Sequence, residues 1–130
     1  MANKDQVFNI RPAEEAFAFS QAVKAGDFLF ISGTVSWDHD ANPIAPGDMA
    51  AQIKVVYDEL KLTLEAHGAS FANVVKETVY TVDLDQMAAN SAIRAKYFAD
   101  CAPPAATWIG ITRLIHPDLM VEVEMTAYLG

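Results

Sequence analysis

The stretch Cys101-Ala-Pro-Pro-Ala-Ala-Thr-Trp-Ile-Gly-Ile-Thr-Arg113, resumed at Leu119-Met-Val-Glu-Val-Glu-Met-Thr-Ala-Tyr128, orders the rest of the chain. Pro103-Pro104 stops any helix arriving from upstream, because proline lacks the amide hydrogen and clashes with the preceding turn. A strand, a short loop and a final alternating strand then follow. Successive side chains of a strand point to opposite faces. Glu122 and Glu124 therefore share one face, and Val121, Val123 and Met125 the other. Spacing alone leaves two meanings for the glutamates: a catalytic pair, or the solvated face of an edge strand.

Upstream, Pro46-Gly47-Asp48 opens the clearest helix. Asp48 is a natural N-cap, able to accept from free backbone amides. Met49, Ile53, Val56, Leu60 and Leu64 recur at helical spacing as one apolar stripe, with Lys54, Asp58, Lys61 and Glu65 mainly opposite. Gly68 suits the residue after the helix, where a left-handed backbone carries no penalty for glycine. Val74–Val82 is rich in β-branched residues and reads as a central strand. Asp83–Asp85 ends it and caps a second helix, which runs to about Asp100 through Met87, Ile93, Tyr97 and Phe98.

Nearer the start, residues 1–15 show no periodicity, and Arg11-Pro12 disfavours a helix. Phe17–Val23 reads as a strand, Lys24-Ala-Gly-Asp27 as a turn, and Phe28–Ser32 as a second strand, together a hairpin. Asp38-His-Asp-Ala-Asn-Pro43 is a polar loop. The order is β-β-α-β-α-β-β in one domain spanning 1–130, an α+β chain with two helices on one face of a mixed sheet. Apolar residues on both sides of several strands call for a partner subunit, so a homo-oligomer is expected.

The net charge of −8, from nine basic and seventeen acidic residues, argues against nucleic acid and anionic membranes as partners. Residues 1–16 are too charged for a signal peptide, and no apolar run reaches membrane-spanning length. A single cysteine, Cys101, fits a reducing compartment, and a cytoplasmic protein is expected. His39, His67 and His116 do not stand at metal-ligand spacing, Ser20 and Ser32 lack a nucleophile-elbow pattern, and no phosphate loop is present. No metal or other cofactor is expected.

Phe19-Ser-Gln-Ala-Val-Lys-Ala-Gly-Asp-Phe-Leu-Phe-Ile-Ser-Gly33 resembles the YSQAVKAGNLVFVSGQ signature of the RidA/YjgF family of reactive-intermediate deaminases. Gly68–Val79 resembles that family's helix-to-strand junction. Pro104-Ala-Ala-Thr107 and Val121-Glu-Val-Glu124 sit where it has PARS/T and VEIEA. The resemblance runs unbroken over about residues 15–128. It implies a chorismate-mutase-like fold, a homotrimer with clefts between subunits, and cofactor-free hydrolysis of 2-imino or enamino acids to 2-oxo acids and ammonia. By the same resemblance, the cleft binds a small molecule through Phe19, Ser32, Gly33, Asn90, Ala106, Thr107 and Trp108, and Glu122 orients the hydrolytic water.

Departures from the pattern redirect the expected chemistry. Ala106 stands where the family has the arginine that grips the substrate carboxylate. Two parallel charged hydrogen bonds are lost with it, which a methyl group does not replace. Phe19 lacks the family tyrosine's hydroxyl, and Trp108 is larger than the usual residue. Arg94 and Arg113 are candidate substitutes for the anion anchor, or surface cations paired with acidic neighbours. The expected enzyme hydrolyses an imine, enamine or related C–N bond without a carboxylate anchor. The alternatives are a non-catalytic ligand-binding trimer and, less in keeping with the negative charge, an endoribonuclease.

Overall fold

The computed structural model describes residues 6–130; the expectations for residues 1–5 lie outside it. Strand β1 (Gln6–Phe8) and a one-turn helix α1 (Ala13–Ala16) precede the hairpin of β2 (Ala22–Ala25) and β3 (Phe28–Val35). Then come α2 (Met49–Glu65), β4 (Val74–Thr81), α3 (Leu84–Ala89), α4 (Ser91–Ala95), β5 (Ala105–Gly110) and β6 (Val121–Tyr128). The six strands form one sheet in the order β1-β2-β3-β6-β4-β5. Only β4 and β5 run parallel; the other pairs are antiparallel. The fold is mixed α+β with its helices on one face, as expected.

Helix α2 follows the sequence pattern closely. The Asp48 carboxylate accepts from the Ala51 amide at 3.0 Å. Met49, Ile53, Val56, Leu60 and Leu64 are all at most 2% exposed. They form one core with Leu29, Ile31, Val79, Val121, Val123, Met125 and Ala127 from the sheet. Burial of each such side chain contributes roughly 1.5–3 kcal/mol relative to leaving it in water. Beyond the helix, Gly68 takes φ +69° and its amide donates to the Glu65 carbonyl at 3.0 Å.

Four expectations need correction. A helix does follow Arg11-Pro12: proline is harmful inside a helix but harmless at its entry, where the amide has no partner to lose, and Pro12 is the N-cap of α1. Phe17–Gln21 is not strand, because α1 ends in a left-handed Ala18 (φ +58°) whose following amide, Phe19, returns to the Glu14 carbonyl at 2.9 Å. The second helix is broken at Asn90 into α3 and α4 and finishes as a 3₁₀ turn, Lys96–Phe98. Finally, β6 is no edge strand: it lies between β3 and β4, so its glutamates are flanked on both sides.

Candidate functional site

Strand register sorts the side chains by face. Residues opposite one another in a ladder point the same way. Glu122 pairs with Val35 on β3 and Tyr80 on β4, and Glu124 pairs with Thr78. Thr78 pairs in turn with Thr107, and Tyr80 with Ile109. These belong to the face away from the helices. Val79, Val121, Val123 and Met125 are buried under α2 on the other face, and the register puts Ala106 and Trp108 on that side too.

The ladder between β3 and β6 skips between Ile31 and Thr34, leaving Ser32-Gly33 as a bulge. Bulges re-aim side chains and open room beside a strand. Several hydrogen bonds hold this one. The Ser32 amide donates to the Gln21 carbonyl at 2.9 Å, and its hydroxyl to the Ser20 carbonyl at 2.5 Å. Buried Gln21 donates through Nε2 to Thr34 Oγ1 at 3.0 Å, and that hydroxyl donates to the Ser32 carbonyl at 3.0 Å.

The carboxylate of Glu122 lies directly over Gly33. A Cβ built at Gly33 would stand 2.2 Å from Glu122 Oε2. Glycine at this position leaves room for the Glu122 side chain where it stands, and is not needed for an unusual φ. Glu122 is half-buried, and no described residue donates a hydrogen bond to it. Burial first, and the Glu124 charge second, push its pKa above the usual glutamate range. Next to it, the Tyr80 hydroxyl donates to Glu124 Oε1 at 2.7 Å.

Beside the bulge, Ser32, Phe19, Ser20, Val23, Ala18, Asn9, Glu14 and Glu15 line an open groove of about 520 Å³. Buried Glu14 faces inward and accepts from the amides of Ile10 (2.8 Å) and Arg11 (2.9 Å), which fixes the wall of the groove. Phe19 and Ser32 thus share this groove, while Glu122 lies over Gly33, the other residue of the bulge.

The other expected residues are elsewhere in the same copy. Thr107 shares the Glu122 face but is two strands away, where its Oγ1 accepts from Lys76 Nζ at 2.9 Å. Ala106 and Trp108 are on the helix face of β5, an edge strand. Asn90 joins α3 to α4, its Nδ2 donating to the Gln86 carbonyl at 2.9 Å.

Beneath Ala106 lies a network that spacing did not reveal. Glu77, fully buried, sits across from Ala106 in the β4–β5 register. Its Oε1 accepts from Arg94 Nε at 2.8 Å and from an Nη at 2.5 Å, while Oε2 accepts from the Tyr57 hydroxyl at 2.6 Å. The Arg94 guanidinium also stacks 4.8 Å from the Phe98 ring centre and 5.8 Å from that of Trp108. Arg94 is thus neutralised by a core carboxylate. Arg113 is exposed in the loop before β6. Among the described residues, no cluster of three or more His, Cys, Asp or Glu side chains is arranged to hold a metal ion.

The sequence profile of the endoribonuclease L-PSP family, the group that includes RidA and YjgF, matches residues 10–129. The chain belongs to the RidA/YjgF family. A RutC family protein of Pyrococcus horikoshii is 35% identical over 125 residues, spanning 96% of this chain and 98% of its own. A RutC family protein of Synechocystis is 34% identical over 112 residues, 85% of each chain. Among solved structures, a Mycobacterium tuberculosis member of the YjgF/YER057c/UK114 family superposes with a TM-score of 0.81 at 27% identity, covering 95% of this chain and 98% of that one. The RidA/YjgF fold therefore extends over nearly the whole chain. Tyr80 and Glu77 are the two residues missed in the sequence; strand alternation placed Tyr80 with Thr78, but only the sheet order sets it against Glu122.

Proposed function

We propose that this protein hydrolyses an imine, enamine or related C–N bond in a small metabolite, without a cofactor, in a cytoplasmic homotrimer whose clefts lie between copies. The observation that carries the reading is Glu122: a half-buried carboxylate with no described donor, its proton affinity raised by burial. A carboxylate whose proton affinity is raised by burial is a stronger base toward water than an exposed one. The water oxygen then bonds to the carbon of the C=N group, and the carbon–nitrogen π pair moves to nitrogen, which takes up a proton. Collapse of the resulting carbinolamine expels ammonia and leaves a carbonyl.

Two features support a cleft shared between copies. The eight expected residues are dispersed, with Phe19, Ser32, Gly33 and Glu122 on or beside the bulge, Ala106, Thr107 and Trp108 on the β5 edge and Asn90 between α3 and α4, so a single copy does not enclose a ligand with all of them. The helix-free face also exposes Phe28 (42%), Phe30 (49%) and Tyr128 (44%), an apolar surface suited to a second copy. The substrate is apolar or aromatic around the reacting carbon and does not rely on a bound carboxylate, since position 106 offers a methyl group and Arg94 is occupied by Glu77.

The test is turnover of imines generated in situ. Neutral or aromatic imines should be hydrolysed, with turnover lost in Glu122→Gln, and light scattering should give three times the chain mass. Hydrolysis of 2-iminopropionate as fast as by an arginine-bearing relative refutes the substrate assignment. The missing anchor at Ala106 favours a second reading, a trimer that binds a metabolite without reaction; retention of ligand with no turnover in either wild type or Glu122→Gln would establish it.

A further inference from the structure

Glu122 and Glu124 are separated by one residue on β6 and share a face, with Cα atoms roughly 7 Å apart. Tyr80 sits directly across from Glu122 in the β4–β6 register, yet its hydroxyl reaches along the strand to Glu124 Oε1 at 2.7 Å. The phenol that could have quenched Glu122 is therefore directed to its neighbour. The other groups facing Glu122 are uncharged: Gly33 and Val35 on β3. Lys76, farther along β4, is bonded to Thr107, and Glu14 and Glu15 lie beyond Ser32 in the groove.

We propose that Glu124, held by the Tyr80 hydroxyl, is a positioning residue for Glu122, keeping a fixed negative charge beside the carboxylate that activates water. The inference rests on the proposed role of Glu122 and adds a residue pair to it. The hydroxyl fixes where the Glu124 carboxylate stands, and the charge there makes Glu122 hold a proton more tightly. The direction agrees with Tyr80, whose pKa is raised chiefly by its hydrogen bond to Glu124. At this separation the negative charge acts in the same direction as burial and raises the Glu122 midpoint.

Carboxyl-carbon NMR titration of the labelled glutamates reads this without any substrate, with Glu122→Gln supplying the assignment. In Glu124→Gln the Glu122 midpoint should fall, because the neighbouring negative charge is gone. The acid limb of kcat/KM should move down with it. In Tyr80→Phe, Glu124 loses the hydrogen bond that holds it, and the Glu122 midpoint should move toward its position in Glu124→Gln. A Glu122 midpoint that stays in place in Glu124→Gln overturns the inference but leaves Glu122 as the base. A midpoint that moves in an enzyme whose Glu122→Gln variant keeps full turnover refutes the catalytic reading and keeps the coupling.

Discussion

Replacing Gly33 by alanine separates the carboxylate's position from the stability of the fold. The added Cβ would lie 2.2 Å from Glu122 Oε2, 2.7 Å from its Cδ and 3.0 Å from its Cγ. All three are atoms of one flexible side chain, and Gly33 is not among the positive-φ glycines. The backbone therefore accepts alanine, and Glu122 swings aside. A displaced side chain forced off its preferred rotamer costs about 0.5–1.5 kcal/mol. Loss of glycine's freedom in the unfolded chain returns about 0.4–1 kcal/mol. The net change in stability should lie between a gain of about 0.5 and a loss of about 1 kcal/mol, readable by urea denaturation. Turnover should suffer far more, because a shift of about 1 Å in a catalytic group removes about a hundredfold in rate. In a Glu122→Ala background the Cβ has room, so any destabilisation by Gly33→Ala should vanish; the double-mutant cycle isolates that contact. Unchanged kcat/KM in Gly33→Ala refutes the role given to Glu122 as positioned over the bulge. A loss above about 3 kcal/mol, beyond the usual overpacking range, refutes the assignment of the clash to a movable side chain.

Arg94→Met strips the partner from the buried Glu77 carboxylate and should cost about 3–5 kcal/mol in urea denaturation, since an unpaired charge remains inside. Glu122→Gln should be more stable than wild type at neutral pH. The folded-state pKa of Glu122 is raised, so its favourable contribution is complete below the unfolded pKa and is lost as pH rises through the folded pKa. The advantage of glutamine should therefore shrink as pH falls through the carboxyl range, and melting curves across that range check it.

Local signals were enough for elements whose determinants sit within a few residues. The stripe from Met49 to Leu64 with Asp48 and Gly68 at its ends carries α2, and the alternation from Val121 to Tyr128 carries β6. The turn between β2 and β3 is equally local. Other features depend on what lies opposite. Alternation put Glu122 and Glu124 on one face of β6 but said nothing of β3 and β4 on either side. Hence an edge strand was a fair reading and the central position was not visible. The short α1 was hidden because Pro12 reads as a breaker until it is seen to start the helix. At the candidate site, Phe19, Ser32 and Gly33 were marked by the family pattern, whereas the closeness of Gly33 to Glu122 depends on a bulge that no residue type announces. Burial of Glu77 was hidden for a similar reason: in the strand it is one charge between Lys76 and Thr78, and its partners Tyr57 and Arg94 come from two different helices.

The register between Glu77 and Ala106 also bears on how this lineage can change. A guanidinium introduced at 106 would emerge one strand spacing from a carboxylate already gripped by Arg94, on the same face of the sheet. Two cations would then compete for one buried anion, and the newcomer would be drawn inward rather than toward a ligand. An anion grip at position 106 therefore needs more than one substitution; positions 77, 94 and 106 are coupled through one buried carboxylate.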